Sequence, residues 1–104
     1  MIVLIDDDSL IYLGWKLKAS KLDLTLVYFQ TVEEFLLNCD DLSKNCYIYI
    51  DSHLKSGIKG EIEAKRIFDK GFNRIYLTTG YSASEFNLND YPWIIEVLGK
   101  SPPF

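Results

Sequence analysis

Histidine and cysteine are scarce in this chain: His53 is alone, and only Cys39 and Cys46 accompany it. The cysteines form no CxxC pair, and His53 has no Cys or His partner at ligand spacing, so neither ring nor thiolate points to a zinc centre. The two cysteines read as free thiols, which implies a reducing cytoplasm. No stretch approaches the roughly 20 apolar residues that a membrane span needs. No signal peptide is expected either, because Asp6 interrupts the first apolar run almost at once. Positive charge is short, with 11 Lys and Arg against 15 Asp and Glu and a net charge of -4. That balance leaves no basic face for a phosphate backbone and argues against nucleic acid as a direct partner. Repeats, linkers and low-complexity tracts are absent. What is present is ample apolar material, 48% of 104 residues. It suffices for a single core, so residues 1–104 read as one domain.

Two apolar runs end in acid. Ile2-Val3-Leu4-Ile5 is followed by Asp6, Asp7 and Asp8, and Tyr47-Ile48-Tyr49-Ile50 is followed by Asp51. Runs of this kind read as strands buried on both faces, as in a parallel sheet. Strand and helix patterns alternate along the chain. Strands are expected over 1–5, 24–29, 46–50, 74–78 and 93–98, and helices over 9–19, 31–37 and 61–70. A brief helix is expected after Ser82. In the first helix Leu10, Leu13 and Leu17 form one stripe, with Ile11 and Trp15 beside it. Thr31 and Glu34 have capping-box spacing, and Gly71 closes the third helix. Pro92 breaks the chain before the fifth strand. This alternation gives a parallel sheet with helices on both faces.

In an open parallel sheet all strands end on one edge, and ligands bind there. Asp6, Asp7, Asp8, Asp51, Thr78, Thr79 and Lys100 all fall at such strand ends. Converging carboxylates need a cation. Mg²⁺ prefers oxygen ligands and needs only one or two carboxylates directly. Asp51 can then act as a carboxylate nucleophile toward phosphorus, while Thr79 and Lys100 each bind a phosphoryl oxygen. Taken singly, each residue has an ordinary structural use. Asp8 in particular reads as helix N-terminal charge, and His53 as a loop residue beside the site.

On these residues the chain resembles the receiver domain of two-component response regulators. The matching pieces are the acidic pair Asp6-Asp7 after strand one, Asp51 after strand three, Thr79-Gly80 after strand four and Lys100 after strand five. They occur in that order and span Ile2 to Pro102. The resemblance implies a flavodoxin-like, doubly wound α/β fold with five parallel strands in the order 2-1-3-4-5. It implies Asp51 as phosphoacceptor, assisted by Thr79 and Lys100. It also implies Mg²⁺ held by Asp7, Asp51 and the backbone carbonyl of His53, with Asp6 assisting through water. The phosphoryl donor would be a phosphohistidine on a sensor histidine kinase or a histidine phosphotransfer protein.

The chain also departs from the family. Its loop Leu54 to Gly60 lacks the usual proline, Lys100-Ser101-Pro102 replaces a lysine-proline pair, and Val97 stands where an aromatic switch residue is usual. Pro102 and Pro103 leave no room for the family's fifth helix. The expectation is therefore that helix one mainly covers that face, that apolar groups of strand five and Trp15 lie exposed, and that the tail with Phe104 folds back over no more than part of it. A second copy of the chain, or a partner or neighbouring domain, would then cover them. Two other readings use the same residues. A haloacid-dehalogenase-type phosphatase would employ Asp6 as nucleophile and Asp8 as general acid, and would leave Asp51 idle. A receiver-like interaction module would keep the fold without being phosphorylated.

Overall fold

The computed structural model describes residues 1–104. The strands are β1 (Ile2–Ile5), β2 (Leu26–Phe29), β3 (Tyr47–Asp51), β4 (Ile75–Thr78) and β5 (Glu96–Leu98). They form one sheet in the order β2-β1-β3-β4-β5, with every pairing parallel. The helices are α1 (Ser9–Lys21), α2 (Val32–Asn38) and α3 (Gly60–Asp69). This is the expected doubly wound, flavodoxin-like α/β topology.

Strand parity divides the interior into two cores. Val3, Ile5, Ile48, Ile50, Ile75 and Leu77 face α2 and α3, where Phe35, Ala64 and Ile67 complete the larger cluster. Leu4 and Tyr49 point the other way and meet Trp15 of α1. Successive side chains on a strand alternate between faces, so the residues ending each strand also have assigned sides.

Local chemistry sets the helix starts. Asp8 caps α1, its carboxylate accepting from Leu10 N at 2.9 Å. Thr31 and Glu34 form the expected capping box: Thr31 Oγ1 accepts from Glu34 N, and a Glu34 carboxylate oxygen accepts from Gln30 N. Gly71 follows α3 in the left-handed region, at φ 102°.

Several boundaries differ from the sequence expectation. Helix α1 runs on to Lys21, and Asp23 then adopts a left-handed φ of 54°. That turn delays β2 to Leu26. Strand β5 begins at Glu96, because Ile94 N donates to Tyr91 O and bends the preceding chain. The brief helix expected after Ser82 is the 3-10 turn Ala83–Glu85, with the Ser82 hydroxyl accepting from Ser84 N. Phe86, Leu88, Tyr91 and Trp93 from the irregular segment that follows pack against the larger core.

The leucine stripe of α1 is a clear correction. Leu10, Leu13 and Leu17 are 74%, 50% and 68% exposed. The side packed on the sheet is Ile11, Tyr12, Trp15 and Ala19. Trp15 buries more surface than a leucine, and Ala19 lets the helix approach closely, so that side wins the sheet.

The expected exposure of Trp15 is also overturned, since it is 1% exposed. The chain after Lys100 folds back, and Phe104 packs edge-on against the indole with ring centroids 5.6 Å apart. Tyr49 contacts the same indole, with centroids 5.3 Å apart. Beyond this seal the β3–β4 side stays partly open, with Tyr47 exposed beneath Arg74. Cys39 and Cys46 are free and buried, and burial pushes the Cys46 thiol up. No helix is long and apolar enough to cross a membrane.

Candidate functional site

The carboxyl edge of the sheet opens into an acidic pocket. Its lining includes Asp6, Asp7, Asp8 and Asp51, with Lys100 as the one ammonium facing these four carboxylates. Asp6, Asp7 and Asp51 each offer a carboxylate oxygen within 4.8 Å of the others. Asp6 and Asp51 are buried, and Asp7 is half-buried.

Each group is held from a different element. Asp6 follows β1, and its two oxygens are both engaged, Oδ1 by Asp8 N at 2.9 Å and Oδ2 by Lys100 Nζ at 2.8 Å. Asp51 ends β3, and its Oδ1 meets Lys100 Nζ at 2.5 Å and His53 N at 3.3 Å. Asp51 Oδ2 has no protein donor. Lys100 thus bridges two acids that would otherwise repel each other.

The electrostatics follow from this packing. Burial raises the Asp51 carboxyl above its ordinary value, and the charge of Asp6 adds to the rise, against the opposing pull of Lys100. Burial alone would lower the Lys100 ammonium. The hydrogen bonds and charges of Asp51 and Asp6 outweigh it, and the ammonium is raised. The pocket therefore holds more negative charge than one lysine can balance.

The donor set suits a hard divalent ion. It is all oxygen, and Asp51 Oδ2 has no protein donor. The His53 carbonyl accepts no backbone hydrogen bond, which leaves it free as a further oxygen ligand. Mg²⁺ takes such ligands and retains several waters. Asp7, Asp51 and the His53 carbonyl could hold it, with Asp6 beside them.

Not every expected residue joins the cluster. The Thr79 hydroxyl oxygen accepts from Tyr81 N at 3.0 Å and makes no hydrogen bond to Asp51. Asp8 lines the pocket, but its carboxylate serves the α1 cap. The His53 ring stands at the rim, with Nδ1 3.1 Å from Ser52 Oγ and its plane tilted against Tyr81 at 4.9 Å.

Two supports were not legible in the sequence. The Trp15 indole N–H donates to the Lys100 carbonyl oxygen at 2.9 Å, which ties α1 to the backbone that carries the lysine. The two residues are 85 positions apart, and no local signal links them. Gly60, at the start of α3, lies under Asp51, where a Cβ would sit 1.8 Å from the Asp51 carbonyl oxygen. A glycine opening a helix after a strand could have suggested that close approach.

No family profile matches the sequence, and no curated protein matches it. One solved structure, "Low Resolution Structure of Response Regulator StyR", superposes on 99% of this chain with a TM-score of 0.78 and 17% sequence identity. The fold is receiver-like. The match takes in 51% of the regulator, so this chain spans about half of that protein's length.

Proposed function

We propose that this chain is a phosphoacceptor receiver domain of two-component signal transduction. The observation that carries the reading is the cluster itself: Asp6, Asp7 and Asp51 meet within 4.8 Å at the carboxyl edge of a receiver-like sheet, and Lys100 contacts two of them. Asp51 is the nucleophile in this reading, because it lines the pocket and its Oδ2 lacks a protein donor. An Asp51 oxygen attacks phosphorus, the bond from phosphorus to the donor histidine nitrogen breaks, and the imidazole leaves with that electron pair. Bound Mg²⁺ supplies positive charge to the phosphoryl oxygens. Lys100 neutralises a further oxygen. The Thr79 hydroxyl reaches the phosphoryl group by giving up its contact with Tyr81 N. Asp7, Asp51 and the His53 carbonyl would hold the ion, with Asp6 assisting through water.

The partner in this reading is a sensor histidine kinase or a histidine phosphotransfer protein in the cytoplasm. Leu10 lines the pocket, and Leu13 and Leu17 continue an exposed apolar stripe away from it along α1. Apolar surface beside a reactive pocket suits docking of a helical phosphodonor.

The test is intact mass after incubation with a small acyl phosphate donor and Mg²⁺. Wild type is expected to gain one phosphate, and Asp51→Asn none. Labelling of Asp6 in the Asn variant, with turnover of a phosphate ester, would support the phosphatase reading. No labelling of wild type by this donor or by phosphohistidine would leave the unphosphorylated interaction module.

A further inference from the structure

Thr78 is the last residue of β4 and the register partner of Asp51. Its predecessor Leu77 and the Asp51 predecessor Ile50 both enter the core under α2 and α3. Alternation therefore turns Thr78 and Asp51 to the opposite, α1-facing side, next to each other. Neighbouring strands lie about 4.8 Å apart, so paired residues on one face are close enough for side chains to interact.

The Thr78 hydroxyl is buried and has no hydrogen-bond partner. A buried hydroxyl without a partner is costly, and valine would fill the same volume without that cost. On the neighbouring strand, Asp51 Oδ1 is engaged by Lys100 and His53 N, and Oδ2 has no protein donor. A donor and an acceptor without protein partners thus belong to directly paired residues on one face, and no hydrogen bond joins them in this structure. The hydroxyl has a rotatable proton, and a carboxylate turns about its terminal bond at little cost. Thr79 lies just past the end of β4, and its hydroxyl oxygen accepts from Tyr81 N.

We propose that Thr78 is a positioning residue for Asp51: its hydroxyl donates to the carboxylate and fixes the rotation in which Asp51 presents an oxygen to phosphorus. The proposal rests on the receiver reading. It gives the two consecutive threonines separate tasks, Thr78 on the carboxylate and Thr79 on the incoming group.

The test compares Thr78→Val, which keeps the shape and removes the hydroxyl, with Thr78→Ser, which keeps the hydroxyl. Phosphorylation by a small acyl phosphate with Mg²⁺ is followed by intact mass, and melting is measured alongside. Thr78→Val is expected to phosphorylate about tenfold more slowly, the scale of one lost hydrogen bond to a charged group. Its melting temperature should fall modestly through loss of that hydrogen bond, and Thr78→Ser should restore it. Thr78→Ser should recover most of the rate. A wild-type rate in Thr78→Val, or a Thr78→Ser rate as low as that of valine, overturns the positioning role. A double-mutant cycle on stability, pairing Thr78→Val with Asp51→Asn, needs no phosphate. Coupling between the two is expected, and strict additivity overturns the contact. If wild type takes no phosphate while the cycle shows coupling, the receiver reading falls and the Thr78–Asp51 contact stands.

Discussion

Replacing Asp51 by asparagine should make the protein more stable, although it removes an ion pair. Asp6, Asp7 and Asp51 offer oxygens within 4.8 Å of one another. At an effective dielectric constant of about 20, two ionised carboxylates at that distance repel by about 3.5 kcal/mol. Asp51 meets two such neighbours. Its attraction to Lys100 Nζ, at 2.5 Å, is about 6–7 kcal/mol on the same scale. The two effects nearly offset, which leaves the cost of burying the Asp51 charge uncompensated. Lys100 keeps a partner in the variant, since Asp6 Oδ2 lies 2.8 Å away. A gain of about 1–2 kcal/mol is expected, or about 4–8 °C in melting temperature for each kcal/mol in a domain of this size. The pH dependence has a definite sign. Burial raises the folded-state Asp51 pKa above its unfolded value, so the folded state binds that proton more tightly. Stability of wild type then falls as pH rises through the folded-state value, and the penalty is fully present above it. The advantage of Asp51→Asn should be largest near neutrality and shrink as pH falls toward the unfolded carboxylate value. The assay is circular-dichroism melting of both proteins from pH 7 down to pH 4, without Mg²⁺ and then with it. Added Mg²⁺ should raise the wild-type melting temperature by mass action, and that of the variant much less. A variant that melts below wild type at pH 7 without Mg²⁺ would show that the Lys100 pair outweighs repulsion and burial together, and the reasoning would fail.

The neighbouring acids should separate cap from ligand: Asp8→Ala loses the α1 cap and about 1 kcal/mol of stability while keeping most Mg²⁺ affinity, whereas Asp7→Ala loses Mg²⁺ affinity with little change in melting. Titration calorimetry paired with melting reads both, and equal affinity losses would contradict the assignment. Gly60→Ala places a methyl against the Asp51 carbonyl oxygen, and a cost of about 3 kcal/mol is expected because backbone cannot yield as a side chain can; denaturant unfolding with a midpoint unchanged from wild type would refute the close approach. Phe104→Ala uncovers Trp15, so tryptophan emission should shift to the red and stability fall by about 1–3 kcal/mol. The same variant should gain binding of a dye for apolar surface and show self-association in light scattering over a wide concentration range. A silent variant would mean that α1 closes this face without the tail.

Much of the architecture was fixed by sequence pattern alone. Apolar runs ending in Asp6 and Asp51 place these acids at strand ends, and a parallel sheet necessarily brings such ends to one edge. The Thr31–Glu34 cap and the place of Asp8 at the start of α1 were legible because a helix start is decided by residues within one turn. The orientation of α1 was not legible. Its sequence carries apolar residues on more than one side, and periodicity cannot rank two stripes. The sheet chose the side with Trp15 and Ala19 because it buries more surface and packs closer. The seal of Phe104 on Trp15 and the indole bond to the Lys100 carbonyl join residues at opposite ends of the chain, and no local pattern encodes such contacts. At the site, sequence supplied acid, hydroxyl and amine. Strand register and parity decided which of them meet: they put Thr78 beside Asp51 on the α1 face, since a shift of one residue along a strand moves a side chain to the other side of the sheet.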